Sequence, residues 1–232
     1  MTPEAHRGPP ALVALEAVAA ERRSVRAFRP ARVDETLIER AVMIARNAPS
    51  SCNTQPWRIE IVSDAVLDRL RRALTEAASS GLEADYDVAP AAPYTGELRS
   101  RQIEAAIELY RALGIERHDR DGRRAAALDN FNFFGAPYAA FIFMPAGAGL
   151  REASDCGQFV HAFILGLSAA GIASCVQGAL SSYGGIVRSQ LGMGDDQRLF
   201  LGISFGLADE EHASAAVQTS RRALDDILGR RS

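Results

Sequence analysis

The chain contains no lysine: all 26 of its basic residues are arginine. That absence excludes a Walker-type phosphate loop, a Schiff-base lysine and a Ser-Lys catalytic pair. Cysteine is scarce, and the three present, Cys52, Cys156 and Cys175, cannot all pair within one chain. They show no CxxC spacing and read as free thiols in a reducing cytoplasm. The four histidines, His6, His118, His161 and His212, are scattered, with no HExxH and no Cys/His cluster, which argues against zinc. No apolar run reaches the roughly 18 residues of a membrane helix. The start, Met1 to Arg7, is not followed by a clean signal-peptide core and cleavage site. An excess of one charge is also missing: 26 basic against 29 acidic residues leave −3, no footprint for nucleic acid. Finally, there is no GxGxxG after a strand, no GxSxG elbow and no spaced carboxylate motif.

What is present is globular. With 47% hydrophobic and 24% charged residues, 232 residues can bury a core without staples. No repeat or low-complexity linker divides the chain, so residues 1–232 read as one domain with an insertion at about 81–128. Helical spacing marks Ala11 to Arg23, the stretch after Asp34 up to Pro49, and the stretch from Ser63-Asp64 onward. Arg58 to Val62 alternates like a strand, while Tyr138 to Met144 and Arg198 to Phe205 read as buried strands. Residues 81 to 96, with Gly81, Pro90, Pro93 and Gly96, read as an extended excursion before two helices, Glu97 to Leu113 and Arg123 to Phe134. Ser154 or Asp155 opens a long helix to about Ala170, apolar nearly all round and so buried in a core or an interface. Short helices are expected at Ser182 to Leu191 and Arg221 to Leu228. The fold class is α+β, with more helix than sheet.

Four segments carry candidate chemistry. In Arg22-Arg23-Ser24-Val25-Arg26, three guanidiniums and a hydroxyl suit a phosphate, though a solvated helix end is the blander reading. Ala48 to Trp57 crowds hydroxyls and amides between two prolines, either to read the polar edge of a planar ligand or as a capped turn. In Cys175-Val176-Gln177-Gly178 the glycine permits close backbone approach to a ligand. Thr219-Ser220-Arg221-Arg222 is a phosphate clamp or the decoration of a helix start. Dispersed arginine and hydroxyl segments without a nucleophile or metal site suit a bound organic cofactor that does the chemistry.

Together these segments resemble the FMN-dependent nitroreductase family. The pattern RxSxRxF appears as Arg22 to Phe28, APSSxNxQPW as Ala48 to Trp57, then a long helix, the turn at Cys175 to Gly178 and a late Arg221. Pro93 to Gly96, Leu113 to Ile115 and Asn130 to Pro137 look like the branch of bacterial nitrobenzoate and nitroaromatic reductases. The resemblance implies a nitroreductase-like fold, a central mixed sheet surrounded by helices, in an intertwined homodimer with FMN at the subunit interface. Arg22, Arg23 and Ser24, with Arg221, match positions that hold the phosphate and ribityl chain, and Arg26 matches the cation beside flavin N1 and O2. Pro49, Ser50, Ser51 and Asn53, with Gln55 close by, match residues contributed by the partner subunit. Val176, Gln177 and Gly178 match the turn whose backbone faces N5.

The implied activity is NAD(P)H-dependent reduction of nitroaromatics by two-electron ping-pong hydride transfer, with NADH or NADPH as donor and no catalytic protein side chain. Quinone or enone reduction, dehydrogenation, or flavin binding without nitro turnover remain as alternatives on the same scaffold. Two features depart from the family pattern. Thr219 stands where a second basic residue is common, so phosphate binding leans on the N-terminal arginines. The usual helical excursion before the long helix is absent, and the extra mass at 81–128 is expected to cover the flavin and shape the substrate pocket. Tyr86, Tyr94 and Tyr110 are stacking candidates there, with core packing as the alternative. Phe131, Phe133 and Phe134 read as structural.

Overall fold

The structure is a computed structural model that describes residues 8–89 and 92–231. Met1 to Arg7, His6 among them, and Pro90 lie outside the described residues. The frame is a four-stranded sheet of β1 (Arg58–Ser63), β2 (Tyr138–Pro145), β3 (Ala173–Gln177) and β4 (Gln197–Gly206), in the order β1-β2-β4-β3. Every strand pairing is antiparallel. Among the described residues, parallel pairing is limited to two isolated bridges, Ser24–Ser174 and Asp85–Tyr183, so the sheet itself is antiparallel where a mixed one was expected.

The order explains the continuous apolar run of β2. Its side chains alternate between two cores: Ala139, Phe141 and Phe143 face one, while Tyr138, Ala140, Ile142 and Met144 face the other. A strand covered on both faces needs apolar residues at every position. The first core is closed by α3 (Asp64–Ser80) and α7 (Gly184–Leu191), through Leu67, Leu70, Leu74 and Val187. The second is closed by α2 (Glu35–Ala45) and α6 (Leu150–Ala169), through Ile38, Ala41, Phe159 and Phe163. Asp34 caps α2, accepting from Thr36 N at 2.9 Å. Helices α2 and α6 approach closely at Gly166, where a Cβ would come within 2.9 Å of Ala41 Cα. The remaining helices are α1 (Pro10–Glu21), α4 (Gly96–Ala112) and α5 (Arg120–Leu128).

Three boundaries differ from the sequence reading, each for a physical reason. Helix α6 begins at Leu150, because the Glu152 carboxylate accepts from Gly149 N at 2.8 Å and caps it one turn early. Asp155 therefore lies inside the helix and is buried. Helix α5 stops at Leu128, and Phe133 and Phe134 take left-handed φ of 55° and 54° in a tight turn. Both rings are buried, and Phe133 meets Phe141 edge-on at 6.1 Å. The expected helix over Arg221 to Leu228 is reduced to a single 3₁₀ turn, Leu224–Asp226. Leu224 and Ile227 stay 65% and 66% exposed, so this chain offers no packing to pay for helix nucleation.

The excursion after α3 is pinned at its base. Asp85 N donates to Ser182 O at 2.9 Å, and Gly185 N donates to Asp85 Oδ2 at 3.0 Å. The nearly buried Asp87 carboxylate accepts from Arg188 Nε and Leu199 N, each at 2.9 Å. Beyond this base, α4 has no buried residue and packs beside the 3₁₀ turn Ala213–Ala216. Asp87→Ala leaves Arg188 Nε and Leu199 N without their acceptor, while Arg188 Nη1 keeps Asp195 Oδ1 at 3.1 Å. The substitution is expected to cost about 2–3 kcal/mol in urea unfolding. An unchanged midpoint would remove Asp87 from the stabilising contacts.

Candidate functional site

Helix α1 ends at Glu21, and the chain turns extended through Arg22. Val25 N donates to Ser174 O at 3.0 Å, which lays this segment along the outer edge of β3. Extended geometry sends alternate side chains to opposite sides, so Val25 enters the core while Ser24 and Arg26 face outward. Arg22, Arg23, Ser24 and Arg26 meet Thr219 and Arg221 around a cleft of about 340 Å³. Among the described residues no carboxylate lines it.

The charge in this cleft is only partly compensated, by Glu210 at Arg23. Burial pushes the Arg22 pKa down, and the neighbouring Arg221 cation adds to the effect. Arg23 pairs with Glu210 at 2.8 Å through one nitrogen, but its Nη1 is buried without a hydrogen-bond partner. Arg221 Nη1 donates to Thr219 O, Thr219 Oγ1 and Ser220 O, each at 2.9 Å. Thr219 thus supplies no charge but aims the guanidinium beside it. Like charges held together around an open cleft, with an orphaned donor, are the chemistry of an anion site. Arg22, Arg23 and Arg26 are each half-buried rather than fully solvated.

Strand β3 was not legible as a strand, since ASCVQ lacks alternation and its geometry comes from pairing with β4. Among the described residues, no strand or backbone hydrogen bond pairs with its outer edge beyond Ser174. Because Ser174 O points outward to Val25, alternation sends the Val176 N–H and C=O the same way. Val176 is 37% exposed on that edge. Gly178 opens a 3₁₀ turn, Gly178–Ser182, so its N–H has no acceptor within that turn. The Gln177 side chain points inward instead. Its Nε2 donates to Asn130 O at 2.8 Å, and its Oε1 accepts from Ser204 Oγ. Sequence reading missed Asn130 and Ser204; a serine within the apolar run of β4 was the available signal.

The loop after α2 is equally pre-formed. Ser51 N donates to Asp155 Oδ2 at 3.0 Å, and Gln55 N donates to Ser50 Oγ at 2.9 Å. Gln55 Nε2 donates to Asn53 O at 3.3 Å. Cys52, Asn53 and Gln55 hold positive φ of 51°, 56° and 45°. Trp57 stacks on Phe159 at 5.1 Å, fixing the loop's exit. Asp155, expected from the sequence only to open the long helix, instead holds this loop through Ser51 N.

The loop and the cleft stand at opposite ends of α6. Ser51 is held by Asp155, whereas Arg22 and Arg23 lie against Ser168 and Gly171. Thirteen positions, 155 to 168, separate these ends, about 20 Å at the helical rise. One chain therefore brings Arg22, Arg23, Ser24, Arg26 and Arg221 together, with Val176, Gln177 and Gly178 along the adjoining strand. It leaves Pro49, Ser50, Ser51, Asn53 and Gln55 apart. Tyr86 and Tyr94 are 40% and 48% exposed, which sets aside core packing for both, and Tyr110 is half-buried.

Residues 19–207 match the model of the nitroreductase family. The chain belongs to that family. It is 39% identical over 206 residues to the nitroreductase NfnB of Mycolicibacterium smegmatis, covering 88% of this chain and 87% of the relative. It is 32% identical to a 4-nitrobenzoate reductase of Pseudomonas putida, over 84% of this chain and 86% of that one. The crystal structure of FMN-dependent NfnB from Mycobacterium smegmatis with NADPH superimposes with a TM-score of 0.91 at 36% identity, covering 96% and 100% of the two chains. The family likeness includes the fold in which the cleft, the β3 edge and the loop are set.

All three cysteines are free, and two are shielded. Burial, then Asp155 and Glu152, push the Cys156 thiol up to about 11. Burial also raises Cys175, against the opposing pull of Arg26, Ser24 and Arg22. A thiol well above ambient pH is a poor nucleophile. Iodoacetamide near about pH 8 is expected to leave Cys156 and Cys175 unmodified in the folded protein and to label both after denaturation. Peptide mass mapping checks this, and rapid native labelling of Cys175 would contradict its burial.

Proposed function

We propose that this protein is an FMN-dependent oxidoreductase that uses NADH or NADPH to reduce nitroaromatic compounds. The observation that carries this reading is the cleft of four arginines without a carboxylate, set beside a free strand edge. A flavin mononucleotide fits that pairing: a dianionic phosphate for the arginines and a planar ring for the edge. Arg22, Arg23, Ser24 and Arg221 would hold the phosphate and ribityl chain, with the orphaned Arg23 Nη1 finding its acceptor there. Arg26 would set a cation against the pyrimidine side of the ring, where negative charge collects on reduction. Val176, Gln177 and Gly178 would present backbone groups to the ring edge.

Pro49, Ser50, Ser51, Asn53 and Gln55 stand too far from this chain's own cleft, so they would serve the flavin of a second copy. A homodimer also accounts for unpartnered apolar surface. No residue of α1 is buried, with Leu12 and Leu15 47% and 55% exposed, and Met43 and Ile44 are each 51% exposed; beside them α6 keeps an exposed polar stripe at Ser154, Gln158 and His161. The single domain would carry its excursion, 81–128, over the site. Among the described residues no helix is long and apolar enough to cross a membrane, and three free thiols fit a reducing cytoplasm.

FMN held by Arg22, Arg23, Ser24 and Arg221 would supply the two-electron chemistry that couples NAD(P)H to a nitro group. The overall reaction balances as nitroarene plus NAD(P)H plus a proton giving nitrosoarene, NAD(P)⁺ and water. The protein's part is to bind, to orient the ring and to place charge, which needs no protein nucleophile.

The direct test is an absorption spectrum of the purified protein followed by anaerobic NADPH. Flavin bands that bleach, then return on adding a nitroarene, are expected. Turnover of quinones but of no nitroarene would replace the substrate class, and a colourless chain that cannot be reconstituted would overturn the flavin reading. Arg22→Ala and Arg221→Ala are each expected to weaken FMN binding by about 1.5–3 kcal/mol, read by fluorescence titration. Ser51→Trp is expected to impair both dimer assembly and FMN retention, read by light scattering and flavin content. A monomeric variant with full FMN would refute the shared site.

A further inference from the structure

The Gln177 amide is buried in an otherwise apolar region, 3% exposed, on the strand edge that the flavin reading assigns to the ring. Burying an amide is costly unless each of its atoms is paired. Here every one is. Nε2 reaches Asn130 O at 2.8 Å and Asn130 Oδ1 at 3.3 Å, and Oε1 accepts from the fully buried Ser204. Asn130 O can only accept, so the amide nitrogen must face it and the orientation is unique. Asn130 in turn donates from Nδ2 to Ala127 O at 3.1 Å, which ties it to the end of α5. The clamp thus joins the returning excursion, strand β4 and the free edge of β3.

A second fastening lies one turn on. Gly202 pairs opposite Gln177, and a Cβ there would fall 2.4 Å from Leu180 Cδ1, so the missing side chain lets buried Leu180 seat against β4. Ser181 Oγ closes the turn on Gly178 O at 2.7 Å. The segment Val176 to Ser181 is therefore held from inside by two side chains while its backbone edge stays free. An apolar residue at 177 would fill the same space without needing partners. A polar trio gives something packing cannot, a single direction for the backbone groups on the opposite edge.

We infer that Gln177 is the positioning residue of this site: its side chain, clamped by Asn130 and Ser204, fixes the Val176–Gly178 backbone edge against the cofactor ring. The inference rests on the flavoprotein reading above. Gln177 touches nothing in the cleft through its side chain, so it acts through the backbone it holds.

Gln177→Met keeps the length of the side chain and removes both hydrogen-bonding ends; Ser204→Ala removes one partner with little change in volume. Each is compared with the unaltered holoenzyme at full FMN occupancy. FMN affinity, set by the arginines, is expected to stay within about threefold, while anaerobic flavin reduction by NADPH slows by about tenfold in Gln177→Met and less in Ser204→Ala. The N5 resonance of isotope-labelled FMN should move toward that of flavin lacking an N5 hydrogen bond. A residue that is merely structural would lower the unfolding midpoint and leave both the resonance and the reduction rate alone; that result in either folded variant overturns the inference. Complete loss of FMN from both variants overturns it as well, in favour of a general scaffold role. An unaltered chain that takes up no FMN overturns the flavoprotein reading first, and the inference falls with it.

Discussion

Burial of β2 on both faces is the constraint from which the architecture follows. Seven consecutive residues, Tyr138 to Met144, are shielded from solvent. No arrangement satisfies that except a central strand with helices on each side. Pairing with β1 and β4 then leaves β1 and β3 as edges. The free edge of β3 is thus a consequence of core packing two strands away, and the site is built where the sheet runs out.

The site itself carries electrostatic cost. Folding draws Arg221 to within reach of Arg22, and burial and repulsion both act against the charged form of Arg22. A protein selected for stability alone would place a carboxylate there, as it does at Arg23 with Glu210 and at Arg188 with Asp87. Leaving Arg22, Arg26 and Arg221 around a cleft whose described lining holds no carboxylate is intelligible if an anion supplies the missing charge. The strained loop at Cys52, Asn53 and Gln55 has the same logic, since left-handed backbone at non-glycine residues persists only where surrounding contacts enforce it. Asp155 and Ser50 provide that enforcement.

Helix α6 links these two halves and also keeps them apart. Its buried side supports the second core, its first turns hold the loop, and its last turn backs the arginines. Its length means that one chain cannot close both halves on one small ligand, and its exposed stripe faces outward along that same length. The loop and the arginine cleft are thus held about 20 Å apart by one rigid rod.

Much of this was legible in the sequence because it depends on local periodicity. Asp34 and the spacing after it define α2, and alternation or continuous apolarity defines β1, β2 and β4. The arginine-serine and proline-serine-asparagine segments announce themselves by residue type, and their order carried the family resemblance. Three things depended on tertiary structure. Strand β3 exists because β4 pairs with it, the tail after Arg221 stays irregular because none of the described residues buries it, and Gln177 points inward because Asn130 and Ser204, distant in sequence, converge on it. Residue type and spacing set which chemistry the chain can hold. Which groups meet, and which way they point, was decided by long-range packing, whose partners lie tens to hundreds of residues away and leave no periodic trace.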